Sequence, residues 1–119
     1  MPFLTDALIA LIAFAHLWFL ALEMFLWRKP LGLKTFRMTP EQAEATAVLA
    51  MNQGLYNGFL AAGLAWGLWL GAAGFAVKTF FLACVLIAGL FGGATAARAI
   101  FFVQALPAAI ALTLLLLFR

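Results

Sequence analysis

The chain has 119 residues, of which 68% are apolar and only 9% charged, whereas a soluble domain carries charge on roughly a quarter of its positions; so few charges exclude a globule covered by water. The formal charge of +3, the thirteen Phe and the four Trp do not point to nucleic acid. Most of the positive residues share one loop, where orientation in a bilayer accounts for them, and aromatic rings in lipid serve as packing surface and interfacial anchors.

The opening segment, Met1-Pro2-Phe3-Leu4-Thr5-Asp6, lacks the basic residues of a signal peptide, and no small-residue cleavage site precedes the next charges, so the first apolar run is expected to be retained. A first span is predicted over about 3–27, closed by Arg28-Lys29-Pro30, two charges and a helix-breaking ring. A polar cytoplasmic loop, 28–44, follows. Within it Thr39-Pro40-Glu41-Gln42 reads as a helix start, with Thr as N-cap, Pro at the first helical position, and an acid and a Gln in the first turn. The second span is placed at about 45–71. Gly71–Gly74 is a turn. The apolar stretch beyond it is too long for one crossing of about 20 residues, so it divides into spans three and four, at about 77–94 and 97–118. The break falls near Gly92-Gly93-Ala94-Thr95, with Arg98 opening the fourth span.

These elements predict an all-α integral membrane protein, a single domain over residues 1–119 built as a bundle of four transmembrane helices. Five of the seven Lys and Arg, Arg28, Lys29, Lys34, Arg37 and Arg98, fall in the first and third connections, while Lys78 and Arg119 fall on the other side. That asymmetry puts both termini outside the cytoplasm and the chain in the inner (plasma) membrane as a multi-pass protein.

Polar residues within the spans carry the functional information, because each costs free energy in hydrocarbon unless it faces protein or water. Span one holds His16 and Glu23; seven residues apart, they differ by about 20° around the helix and roughly 10 Å along it. Span two carries Asn52, Gln53, Tyr56 and Asn57, and span four Arg98 and Gln104. Measured from the basic loops, Glu23 is roughly 6 Å deep, Gln104 roughly 9 Å, Asn52 roughly 10 Å, and His16 and Tyr56 roughly 16 Å. All belong to the cytoplasmic half; Ala61–Leu70 and Ala108–Leu117 contain no ionisable side chain.

A lone membrane amide or histidine is more often interhelical glue than a ligand contact. Glu23 differs, since a carboxylate at a helix centre costs up to about 3 kcal/mol even on lenient insertion scales. It is expected to pair with Arg98 or a loop base, to be held by the span-two amides, or to carry a proton. Gly54-Gly58-Ala62, Gly63-Gly67-Gly71 and Gly89-Gly93-Ala97 form small-residue stripes at helical spacing, which let backbones approach within a subunit or between subunits. Cys84, the lone cysteine, reads as a small buried hydrophobe.

Glu23-Met24-Phe25-Leu26-Trp27, the span-two run from Asn52 to Leu64, and Gln104-Ala105-Leu106-Pro107-Ala108 resemble the bacterial integral membrane family called domain of unknown function 1304. The resemblance covers nearly the whole chain. It implies a four-helix membrane protein and brings no activity with it. In architecture the chain is also similar to the membrane-associated eicosanoid and glutathione metabolism proteins, through an Asn-bearing second helix and an Arg98, Gln104 and Leu106-Pro107-Ala108 pattern in the fourth. That likeness implies trimers with a ligand between subunits in the cytoplasmic half, although Met51–Gly54 stand where that family carries Arg, His and Glu.

The leading reading is a homo-oligomeric bundle, a trimer by the second resemblance, that holds a small polar or amphipathic, lipid-like ligand. His16, Asn52, Gln53, Tyr56, Asn57 and Gln104 would orient the ligand, Arg98 would meet an anionic group, and Glu23 would be the acid or base of any chemistry. Membrane lipids are the expected surroundings. No metal-ligand spacing, nucleophile–base motif or phosphate-cradling glycine loop is present, so no metal and no cofactor is assigned. Two other readings stand beside it: a proton- or ion-coupled transporter working through Glu23 and His16, and an accessory subunit whose polar cluster fixes helix register.

Overall fold

Proline and glycine punctuate the chain, and the helices fall between them. Pro2, Pro30 and Pro40 each occupy the first position of a helix, where the missing N–H is no loss and the fixed φ is preorganised. The computed structural model describes residues Pro2–Phe118. In chain order these form α1 (Pro2–Met24), α2 (Pro30–Phe36), α3 (Pro40–Leu70), a 3₁₀ turn (Gly71–Gly74), α4 (Phe75–Thr95), a π-helical segment (Phe101–Ala105) and α5 (Leu106–Leu117). Among the described residues there is no strand.

The start of α3 is a reciprocal cap. Gln42 N–H donates to Thr39 Oγ1 at 3.1 Å and Thr39 N–H donates to Gln42 Oε1 at 2.9 Å, satisfying two donors that a helix end otherwise leaves open. The loop ahead of it was expected to be irregular, but Pro30–Phe36 is helical. Seven residues are too few to hold a helix by propensity alone. Packing supplies the difference: Gly32 is buried, and a Cβ there would run into the Leu26 and Trp27 carbonyls. The chain leaves α2 through Arg37 in the left-handed region (φ 53°), with Met38 N–H donating to Leu33 O at 2.9 Å.

The chain divides into two compact units, one of residues up to Ala13 together with those from Leu60 onward, the other Phe14–Phe59. In the first, Ile9, Ile12, Leu64, Leu82, Val85, Ala108, Ala111 and Leu115 make the core. At Gly89 an added Cβ would lie 2.6 Å from the Ala105 backbone nitrogen, so α4 and the π-helical segment meet backbone to backbone. The π segment has a local cause in Pro107. Its ring would clash with the carbonyl four residues earlier, and the turn widens so that Leu106 N–H reaches Phe101 O, a five-residue span.

Lys78, expected at the start of the third span on the side away from the basic loops, is buried in this unit. Helix α4 begins at Phe75, which draws Lys78 into its first turn, and Gly67 clears space for the stem: a Cβ there would sit 2.7 Å from Lys78 Cγ. The ammonium donates to Asp6 Oδ1 at 3.1 Å and to Gly71 O at 3.4 Å.

In the second unit, α3 buries Ala43, Ala50, Gly54 and Asn57, a narrow stripe at alternating helical intervals, and α1 buries His16 and Leu22. Trp27 ties the turn after α1 to its neighbours. Its indole N–H donates to Ala43 O at 3.2 Å and Thr46 Oγ1 at 3.1 Å, and its ring packs against Phe36 at a tilt of 44° with centroids 4.8 Å apart.

Helix α1 and the helical run Pro40–Thr95 are long and apolar enough to cross a membrane by length and composition, with mean hydropathy 2.0 and 2.1. Only 22% and 28% of their most apolar windows are buried, so most of this apolar surface faces outward.

Candidate functional site

Glu23 lies in the last turn of α1, where the helix opens: Phe25 N–H and Leu26 N–H both donate to Ala21 O at 3.0 Å. Facing it, Gly54 lets α3 come close, since a Cβ there would crowd Met24 Cγ and lie 3.2 Å from Glu23 Cβ. One helical turn further along α3, buried Asn57 donates its side-chain N–H to Glu23 Oε1. Of the partners expected for Glu23, the structure therefore supplies a span-two amide. The other carboxylate oxygen, Oε2, has no bond among the described residues and is not enclosed.

Glu23 borders a shallow pocket of about 290 Å³. Met24, Phe25, Trp27, Arg28 and Lys29 from the end of α1 and the turn after it line the rest, with Ala47 and Met51 from α3. At its rim Arg28 Nη1 meets Glu44 Oε2 at 3.0 Å. Both side chains of that pair are well exposed, 60% and 69%, and such pairs contribute roughly 0–1 kcal/mol, so Arg28 remains available to another anion. The pocket thus joins an acceptor oxygen, two cations and apolar walls within a few residues of one helix end.

The other residues singled out in the sequence are placed as follows. His16 is buried against Phe19, ring centroids 5.2 Å apart. Asn52 is exposed and turns its amide back onto its own helix, donating to Val48 O at 3.1 Å. Gln53 is exposed, and exposed Tyr56 packs edge-on to Phe59 at 6.0 Å. Arg98 and Gln104 belong to the unit that begins again at Leu60; Arg98 is exposed between α4 and the π segment, and Gln104 is half-buried within that segment. Arg28 and Lys29 read in the sequence as orientation charges and, as loop bases, as possible partners of Glu23; Trp27 carries no separate reading there. The position of all three at the end of an apolar run was a signal, but their convergence on Glu23 depends on the turn after α1 folding against α3.

The chain matches the family described as "Protein of unknown function (DUF1304)" across residues 10–116. It is 29% identical over 106 residues to the "Uncharacterized protein YpaA" of Lactococcus lactis subsp. lactis (strain IL1403), covering 87% of this chain and 89% of that protein. No solved structure matches it, and the likeness to the eicosanoid and glutathione metabolism proteins finds no support in these matches. Since the family match takes in the Glu23 turn, the Asn57 helix face and the Gln104–Pro107 segment alike, the chain belongs to the DUF1304 family.

Proposed function

We propose that the protein is a small multi-pass protein of the inner membrane, with both termini outside the cytoplasm, that binds a small polar or amphipathic ligand in the pocket at Glu23. One observation carries this reading: a half-buried carboxylate that accepts from a buried neutral amide through one oxygen also lines the pocket. A carboxylate kept only for folding is better satisfied by a cation or by further donors on both oxygens. The relay reading has less support, because the partner of Glu23 is an amide, which does not titrate.

The membrane setting is supported by the outward apolar surface, including Leu11, Phe14 and Trp18 on α1 and Val48, Leu49 and Trp69 on α3. Lipid covers such residues at no cost, whereas water does not. Gln53 and Tyr56 stand exposed among them, and polar groups at that depth seek a partner across helices. A second copy of the chain supplies one, which favours a homo-oligomer, with a trimer as the form to test first.

A density map of the protein extracted with its native lipids tests the site. Bound density against Glu23 and Met51 is expected. An empty pocket, with bound molecules only elsewhere, would overturn the reading. Native mass spectrometry on the same sample should show an oligomer, and monomer at every concentration would contradict the assembly.

A further inference from the structure

The four charges at the pocket cancel. Glu23 lines it, Arg28 and Lys29 line it as cations, and Arg28 pairs with Glu44. A purely anionic ligand would meet Lys29 but also face Glu23. A purely cationic one would reverse the conflict. A zwitterion satisfies both, with its hydrogen-bond-donating cation on Glu23 Oε2 and its anion on Lys29 and Arg28.

The pocket also leads somewhere. Met51, part of its wall, begins a row at four-residue spacing with Leu55 and Phe59, which are 49%, 45% and 55% exposed. The row runs about 12 Å along α3. A headgroup seated at Glu23 therefore has an apolar track for a tail starting at the pocket wall.

Resting on the reading of this pocket as a ligand site, we infer that its ligand is a lipid with a zwitterionic phosphoethanolamine-type headgroup. The primary ammonium donates to Glu23 Oε2, the phosphodiester sits between Lys29 and Arg28, and an acyl chain lies along Met51, Leu55 and Phe59. A quaternary ammonium has no N–H to donate to the carboxylate, so a phosphocholine headgroup fits less well.

The test is native mass spectrometry of the delipidated full chain with phosphatidylethanolamine, phosphatidylglycerol and phosphatidylcholine of matched chains, and with free phosphoethanolamine. Retention of the ethanolamine lipid is expected to exceed that of the glycerol lipid by about tenfold, as one extra charge-assisted hydrogen bond implies. Glu23→Gln, whose amide oxygen still accepts from Asn57, should bring the two lipids level. Lys29→Gln, an exposed change, should weaken both. Retention of the glycerol lipid equal to or above that of the ethanolamine lipid in the unaltered chain, with both variants still weakening it, would overturn the headgroup class while leaving the pocket standing. If neither variant changes retention of any probe, the pocket itself falls. Free phosphoethanolamine held as tightly as the lipid would overturn the role given to the apolar row.

Discussion

Helix α1 carries two carboxylates, one in its early turns and one in its last, and the protein treats them differently. Asp6 meets a cation: the buried ammonium of Lys78 lies 3.1 Å away and also donates to the Gly71 carbonyl. Glu23 meets the neutral amide of Asn57. In the first case charge is matched, and the partner is positioned by a helix start and a glycine that clears its path. In the second the carboxyl group has a neutral partner and borders a pocket that Arg28 and Lys29 also line. Matching a buried cation is a structural necessity; leaving an anion half-answered is useful only if something else completes it. On the proposed function, the Asp6 pair serves folding and Glu23 serves binding.

Substitutions can break that contrast, and the largest effect is expected at Asp6. Asp6→Ala strands the Lys78 ammonium, and since removing one partner of a buried pair costs roughly 3–5 kcal/mol, a loss near the lower end, about 3 kcal/mol, is predicted because the Asp6 side chain is 45% exposed. Chemical unfolding in detergent reads it. The effect on lipid retention per folded molecule should be negligible.

Next comes the glycine beneath each site. A Cβ at Gly67 would press on Lys78 Cγ at 2.7 Å and on the Lys78 backbone nitrogen at 3.2 Å. Backbone yields little, so Gly67→Ala should cost about 1–2 kcal/mol, as overpacking does. At Gly54 the nearest atom is the flexible thioether stem of Met24. The Leu20 backbone oxygen lies 3.3 Å from the same point, so Gly54→Ala should cost about as much as Gly67→Ala on the same unfolding curves and also disturb ligand retention, because Met24 lines the pocket.

A smaller change is expected from Asn57→Ala. The carboxylate loses its Asn57 donor, but the open side of the pocket lets water replace it, so the cost should be about 1 kcal/mol, an ordinary net hydrogen bond. Binding should weaken as well, since Glu23 is then free to leave its position. A loss as large as that of Asp6→Ala would remove the contrast between the two carboxylates.

How far this was legible in the sequence depends on the range of the interaction. The all-helical class and the Thr39–Gln42 cap were readable because period, Pro position and capping chemistry are local. Glu23 was readable as costly, and the span-two amides were among its expected partners. The choice of Asn57 over its neighbours required the face of α3 that Gly54 sets against α1. Lys78 was readable at the start of the third span, but its burial was not, because that depends on the room left by Gly67 and on Asp6 as its partner. The helix at Pro30–Phe36 was missed because its stability comes from packing of Gly32, and the π segment because a single Pro107 within an apolar run does not reveal how the preceding turn relaxes. The pocket was hidden for the same reason: Arg28 and Lys29 line it only once the turn after α1 has folded.

The most direct measurement compares Glu23→Gln with Asp6→Asn, two changes that remove one charge with almost no change of shape. Unfolding free energy and retained lipid are measured for both. The predicted result is a crossed pattern: Asp6→Asn loses stability and keeps its ligand, while Glu23→Gln changes stability by less than about 0.5 kcal/mol and retains the ethanolamine lipid about tenfold less, level with the glycerol lipid. Equal destabilisation by the two, with lipid retention unchanged in Glu23→Gln, would contradict the assignment of binding to Glu23 and make both carboxylates parts of the fold.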